Sequence, residues 1–231
     1  MSYAPALPNP ALAPLPILVI VGAGGLGREV LMLARQINEA SPTWEIAGFY
    51  DDRSPATPTL QGLPYLGTTE DLRAQPEPRH VVVAVGNSHS RTAIVERLTA
   101  PHLTFASLVH PGVALAAYQQ VQVGEGSIIC QGCILTCDIT LGRHVLLNLG
   151  CTIGHDAVLE DFCSLMPHAN VGGEAHLEAG VYLGTNATVI NQVRVGTGAI
   201  LGAGAVAVRS LPAHSTAVGV PAQVLKIRNG Q

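Results

Sequence analysis

From Val123 onward an aliphatic side chain recurs at every sixth residue: Val123, Ile129, Leu135, Leu141, Leu147, Ile153, Leu159, Leu165, Val171, Leu177, Leu183, Val189, Val195 and Leu201. With 48% of the chain apolar, chance would give such a row about three times in 100,000. The position two places earlier is restricted as well. It runs Val121, Ser127, Cys133, Ile139, Val145, Cys151, Ala157, Cys163, Ala169, Ala175, Val181, Ala187, Val193, Ala199 and Ala205, mostly small and never charged. One large and one small inward position per hexad predicts a parallel β-helix. Glycine follows the large residue at Gly124, Gly142, Gly154, Gly172, Gly184, Gly196 and Gly202, which we read as corners that need a permissive backbone. If three hexads make one triangular coil, the repeats of 121–210 form about five coils stacked at roughly 4.8 Å.

Ahead of the repeats the pattern changes. ILVIV from Ile17 reads as a buried strand, GAGGLG as a turn and REVLMLARQINEA as an amphipathic helix. WEIAGFYDD is a second strand ending in two acids. Leu63 to Leu72 holds a short strand and a helix start at Thr68 or Thr69. VVVAVGN from Val81 is a third buried strand, followed by the helix SRTAIVERL. Such alternation predicts a Rossmann-like parallel sheet. The organisation is therefore a leader over 1–16, an α/β Rossmann-like domain over 17–104, a β-helix over 105–210 and a C-terminal cap over 211–231. His110-Pro111-Gly112 leads into the repeats, and the tail leaves the register to cap the open strand edges.

Composition excludes more than it selects. Charged residues make up 12% and the net charge is −4, so nucleic acid is not an expected partner. The uncharged stretch from Ser2 to Gly27 is broken by Pro5, Pro8, Pro10, Pro14 and Pro16 and has no positive flank. We read its first part, 1–16, as a disordered leader ahead of the buried strand, with no membrane insertion and a cytoplasmic location. Cys130 and Cys133 form a C-x-x-C pair near Cys137, a pattern seen in metal and redox sites. However, Cys133, Cys151 and Cys163 fall on the small inward row, where a thiol serves as a small apolar group, and no metal is expected.

Two places carry candidate chemistry. Gly22, Gly24 and Gly27 satisfy G-x-G-x-x-G between a strand and a helix, where backbone N–H groups meet a phosphate. Asp51 and Asp52 end the next strand, and Gly86-Asn87 ends the third at the same edge. A domain of this size matches one mononucleotide-binding half. That favours a single nucleotide diphosphate over NAD, with a purely structural glycine turn left open. In the repeats His155 lies two places after an inward residue, so its side chain should point outward. A histidine suits proton abstraction near neutral pH, and Asp156 is a candidate to orient it. Cys137 and Gly173 lie one coil before and after His155, on the same corner. Gly173 N–H is a candidate donor to an acyl-transfer oxyanion.

Together, GAGGLG, FYDD, VAVGNSHSR, HPG, LNLGCTIGHD, the hexads and GVPA resemble the hexapeptide-repeat acyltransferases. The narrower resemblance is to bacterial nucleotide-aminosugar N-acetyltransferases and sialic acid O-acetyltransferases. It covers nearly the whole chain after the leader. The resemblance implies a left-handed β-helix, a homotrimer and acetyl-CoA in the groove between two β-helices. It implies N-acetylation of a nucleotide-linked amino sugar for bacterial glycan synthesis, with His155 as general base, Asp156 beside it and Asn148 near the acceptor. Gly24, Gly25, Leu26, Asp51, Asp52 and Gly86 would hold the nucleotide. Gly173, Thr185, Ala203 and the segment containing Gly219 and Pro221 would line acetyl-CoA. Where some relatives carry a second histidine nine residues after the base, this chain has Ser164, which places a contact to the acetyl group in question. Three other readings stay open: sugar O-acetylation, a zinc-dependent β-helix carbonic anhydrase drawing on His168 and His176, and a non-catalytic scaffold.

Overall fold

The computed structural model describes residues 14–228, so all but the end of the leader lies outside the described residues. A six-stranded sheet comes first. Its strands are β1 (Ile17–Val21), β2 (Glu45–Tyr50), β3 (Thr59–Leu60), β4 (Leu63–Gly67), β5 (Arg79–Val83) and β6 (Leu103–Phe105), in the order β3-β4-β2-β1-β5-β6. Only the β3–β4 pair is antiparallel. β1 and the Val81–Val83 end of β5 are continuous apolar runs because both of their faces are covered. Leu18, Ile20 and Val82 pack on one side with Val30, Leu31, Leu33 and Ala34 of helix α1 (Gly25–Ala40). Val19, Val21, Val81 and Val83 pack on the other with Leu72 of α2 (Thr69–Ala74) and Val95 of α3 (Ser88–Arg97). Two strands escaped the pattern: β3 has two residues and β6 has three, too short for a period to register. Connections leave β1 and β5 in opposite directions along the sheet. Their carboxyl ends therefore flank a switch point, where an open α/β sheet offers a crevice.

Beyond the sheet the chain winds as a triangular parallel β-helix. Two-residue strands begin at Gln122 and recur every sixth residue to Val206–Ala207. Thr140 pairs with Gln122 before it and Val158 after it, so one coil takes 18 residues. The strands sort into three faces, led by Gln122–Val123, Ile128–Ile129 and Ile134–Leu135 respectively. The aliphatic row and the small row fill the interior as one continuous core. Leu108, Ile128, Cys130 and Leu146, on the second face, join the core beneath α1, so the sheet domain is seated on that face.

The corners are built differently from expectation. The left-handed backbone occurs three residues after each large inward residue, at Gly126, Gly132, Asp138, His144, Gly150, Asp156, Phe162, His168, Glu174, Gly180, Asn186, Gln192, Gly198 and Gly204. Gly124, Gly142, Gly154, Gly172, Gly184, Gly196 and Gly202 have no such dihedral. At Gly154, for example, a Cβ would lie 2.6 Å from Gly173 N in the next coil, so these glycines permit close approach rather than a turn. The tail also corrects the reading. Ala217 stacks on Leu201 and Leu211 bridges Val195, each 16 residues on, so the tail slips by two residues yet adds a shortened coil. Gln223–Ile227 then folds back antiparallel on Ser215–Val218.

Candidate active site

His155 sits where the chain leaves Thr152–Ile153 on the third face and turns towards Val158–Leu159 on the first. Asp156 takes the left-handed corner, φ 58°, which brings its carboxylate alongside its neighbour's ring. His155 Nδ1 and Asp156 Oδ2 are 2.8 Å apart, with both side chains more than half exposed. An ionised carboxylate only accepts, so this bond fixes the proton on Nδ1 and leaves Nε2 as the acceptor. The coil arithmetic holds: Asp156 N–H donates to Cys137 O at 3.1 Å and Glu174 N–H to His155 O at 2.8 Å. Gly173 therefore lies directly beyond the ring. A Cβ there would stand 2.5 Å from His155 Nε2 and 2.7 Å from Cε1, so only glycine admits this imidazole. Gly173 N–H has no acceptor among the described residues.

The other residues expected around acetyl-CoA gather on a different corner, between the second and third faces. Thr185 and Ala203 are exposed one coil apart, joined by Gly204 N–H to Thr185 O at 2.8 Å. The Gly219–Ala222 segment docks on the same edge, with Val206 N–H donating to Gly219 O and Ala222 N–H to Val206 O. Pro221 thus follows Ala203 along the axis. Asn148 occupies this corner too. It is 7% exposed, its Oδ1 accepts from Leu149 N–H at 2.7 Å, and it is a full face away from His155 of the same chain. Asn148, expected near the acceptor, thus lies away from His155 within one chain.

Ser164 is a correction. It is fully buried on the second face, where its Oγ accepts from Arg91 Nη2 at 2.8 Å and lies 3.1 Å from Ser88 Oγ. Nine residues are half a coil, so a residue nine after His155 belongs to another side of the prism. The buried hydroxyl does not reach the corner that carries His155.

At the sheet edge the glycine turn divides into two functions. Gly22, at φ 110°, would bring a Cβ to 2.7 Å from Ala84 O, and a Cβ on Gly27 would run into Gly22 O. These two serve packing. Gly24 and Gly25 face open space, and Gly24 caps α1 without a side-chain bond, so the first N–H groups of the helix stay available. Asp51 braces this turn: its Oδ2 accepts from Ala23 N–H at 2.7 Å and its Oδ1 from Arg53 N–H at 2.9 Å. Leu26 and Gly86 close the crevice from opposite sides, a Cβ on Gly86 lying 3.8 Å from Leu26 Cδ2.

Asp52 departs from its expected place. Its Oδ1 accepts from Thr69 N–H and Oγ1 at 3.0 and 2.6 Å, and its Oδ2 from Arg97 at 3.0 Å. Desolvation alone would raise its pKa, but the bonds from Thr69 and Arg97 outweigh it and hold the carboxyl below its ordinary value. Asp52 therefore ties α2 to α3 instead of offering a free carboxylate.

Three of the five cysteines follow the small inward row. Cys133, Cys151 and Cys163 are buried, and burial pushes the Cys130 and Cys163 thiols up to about 12. Among the described residues no three His, Cys, Asp or Glu side chains converge on a metal-sized site. No helix among them is long and apolar enough to cross a membrane. An open hollow of about 580 Å³ along the outer face of α1, past Arg28, Met32 and Arg35, touches the crevice only through Gly25.

Residues 17–98 match the family model described as the PglD N-terminal domain. No curated protein sequence matches the chain. Among solved structures, the acetyltransferase domain of PglB from Neisseria gonorrhoeae FA1090 is 32% identical, covering 90% of this chain and 98% of that one, with a TM-score of 0.82. WeeI from Acinetobacter baumannii AYE is also 32% identical, covering 90% of this chain and 99% of that one, with a TM-score of 0.81. A variant of perosamine N-acetyltransferase from Caulobacter crescentus, in complex with CoA and GDP-perosamine, is 28% identical, covering 91% and 97%, with a TM-score of 0.80.

Proposed function

The chain belongs to the hexapeptide-repeat nucleotide-aminosugar N-acetyltransferases, enzymes joining a Rossmann-like sheet to a left-handed parallel β-helix, and we propose that it acetylates the amino group of a nucleotide-linked amino sugar from acetyl-CoA, with His155 as general base. One observation carries this reading. The His155 imidazole is exposed, oriented by Asp156 through Nδ1 and left with Nε2 as its free acceptor.

The attacking amine must be neutral, and His155 Nε2 takes its proton as the N–C bond forms. Asp156 keeps the ring in the required tautomer and stabilises the imidazolium that results. Gly173 N–H, lacking an internal acceptor, faces the oxygen that gains charge on the acetyl carbonyl. The thiolate of CoA leaves. Gly24, Gly25, Leu26, Asp51 and Gly86 frame the diphosphate and nucleoside.

Acetyl-CoA running along Thr185, Ala203, Gly219 and Pro221 lies on one corner of the prism, whereas His155 and Gly173 lie on another. A groove touching both corners is made by two copies of the chain. On this reading the enzyme is a homotrimer, and the Asn148 beside each acceptor comes from the neighbouring subunit.

The test follows CoA thiol release from acetyl-CoA with UDP-, GDP- and dTDP-linked amino sugars and with sialic acid. One amino sugar should give release that falls by about 10²–10⁴ in His155→Ala, with CoA binding retained. Release with sialic acid alone would make the enzyme an O-acetyltransferase. Equal turnover by wild type and His155→Ala would remove the base assignment.

A further inference from the structure

Arg91 is 1% exposed, and no carboxylate is among its partners. Its guanidinium is satisfied by oxygens from two parts of the chain. Nη1 donates to Val85 O at 2.7 Å and Gly86 O at 3.3 Å, on the loop between β5 and α3. Nε donates to His144 O at 3.1 Å, and Nη2 to Phe162 O, Cys163 O and Ser164 Oγ at 2.9, 3.2 and 2.8 Å, all on the β-helix. Burial lowers its pKa only to about 10, so it stays cationic at neutral pH. A buried cation is expensive to desolvate, and an apolar residue here would leave these oxygens without their donor. The loop offers a reason for it.

In a trans peptide the C=O and N–H point in opposite directions. Val85 O shares a peptide plane with Gly86 N–H, and Gly86 O shares one with Asn87 N–H. When Arg91 draws both carbonyls towards the β-helix, both N–H groups turn away from it. Neither donates to any acceptor among the described residues. Gly86 faces Leu26 across the crevice. We propose that Arg91 is the positioning residue of the nucleotide crevice, fixing the Gly86 and Asn87 N–H groups outward to receive the diphosphate while anchoring that loop to the catalytic β-helix. This rests on the nucleotide-sugar reading above.

Asn87 gives a test that leaves the buried cluster intact. Its φ is −73°, which proline adopts, and its side chain caps α3 by accepting from Ser90 N–H. Asn87→Ala and Asn87→Pro both lose the cap, but only the proline variant loses the backbone N–H. Binding of UDP, GDP, dTDP and CoA is measured by titration calorimetry on the full chain. For the diphosphate that wild type binds, Asn87→Pro should be at least about tenfold weaker than Asn87→Ala, with CoA affinity within about twofold. Arg91→Lys keeps the charge but not the fork, and it should likewise weaken the diphosphate selectively. Equal diphosphate affinity in the two Asn87 variants would overturn the proposal. So would a parallel loss of diphosphate and CoA binding in Arg91→Lys, which marks a merely structural role. Failure of wild type to bind any of the three diphosphates would instead remove the nucleotide-sugar reading itself.

Discussion

The β-helix and the glycine turn after β1 both need backbone in the left-handed region, and they obtain it in opposite ways. In the β-helix that conformation recurs at every sixth residue whatever the side chain, including His144, Phe162, His168, Glu174 and Gln192. Each non-glycine there costs roughly 1–2 kcal/mol, and the hydrogen-bonded coils on either side enforce it. The glycine turn has no copy of itself above or below. It depends on Gly22 for its dihedral, Gly27 for clearance and the Asp51 carboxylate as a brace. A stacked structure can impose a conformation on any residue, whereas a single turn must specify it by residue type.

The sharpest way to break this contrast is to remove a shared support. Leu165 is fully buried, with Leu147 and Leu183 as its neighbours in adjacent coils. Leu165→Ala should destabilise by about 2–5 kcal/mol in chemical denaturation, because the neighbouring coils cannot collapse into the space. A loss below about 1 kcal/mol would mean the stack adjusts freely.

His144 tests a corner whose identity does matter. It is 1% exposed, stacked on Phe162 at 5.1 Å and edge-on to Phe105 at 4.7 Å. Burial, then the charges of Arg91 and Arg143, depress its pKa to about 4. The unfolded chain titrates this group near 6.5 and so binds the proton first as pH falls. The stabilisation is complete above pH 6.5 and is lost between about 6.5 and 4, amounting to about 3 kcal/mol. Unfolding free energy measured across that window should fall more steeply in wild type than in His144→Phe, and parallel curves would contradict the assignment.

Gly173→Ala tests clearance at the corner that carries His155, the proposed base. The added methyl must displace the His155 ring, so kcat should drop by up to about 10²-fold while the melting temperature barely moves. The smallest effect belongs to the sheet domain's own local device, the capping box of Thr68 and Asp71. Thr68→Ala should cost about 1 kcal/mol.

Legibility in the sequence followed the same divide. The inward rows, the coil length and the stacking of Cys137, His155 and Gly173 were readable because a residue's environment is set by arithmetic. The left-handed corners were not, since no residue type marks them, and the glycines that drew attention mark close approach instead. Ser164 was misplaced by trusting resemblance over the period, which puts it half a coil from His155. Asp52 and Arg91 escaped for a different reason. Asp52, an acid at a strand end, reads as facing the nucleotide, and Arg91 in SRTAIVERL draws no reading, until the partners Thr69, Arg97 and Phe162 are brought together from distant sequence.

The regular coil also makes the β-helix a ruler. From His155 to Pro221 the chain climbs roughly three and two-thirds coils, or about 18 Å along the axis at one strand spacing per coil. Side chains do not set that length; the number of residues does. Excising 18 residues between the two points would leave every inward row in phase and the prism closed, yet bring its far end about 4.8 Å nearer the histidine. Excising any number that is not a multiple of six would turn the inward rows out of phase. The span from His155 to Pro221 is thus inherited as a count of residues, adjustable only in whole coils.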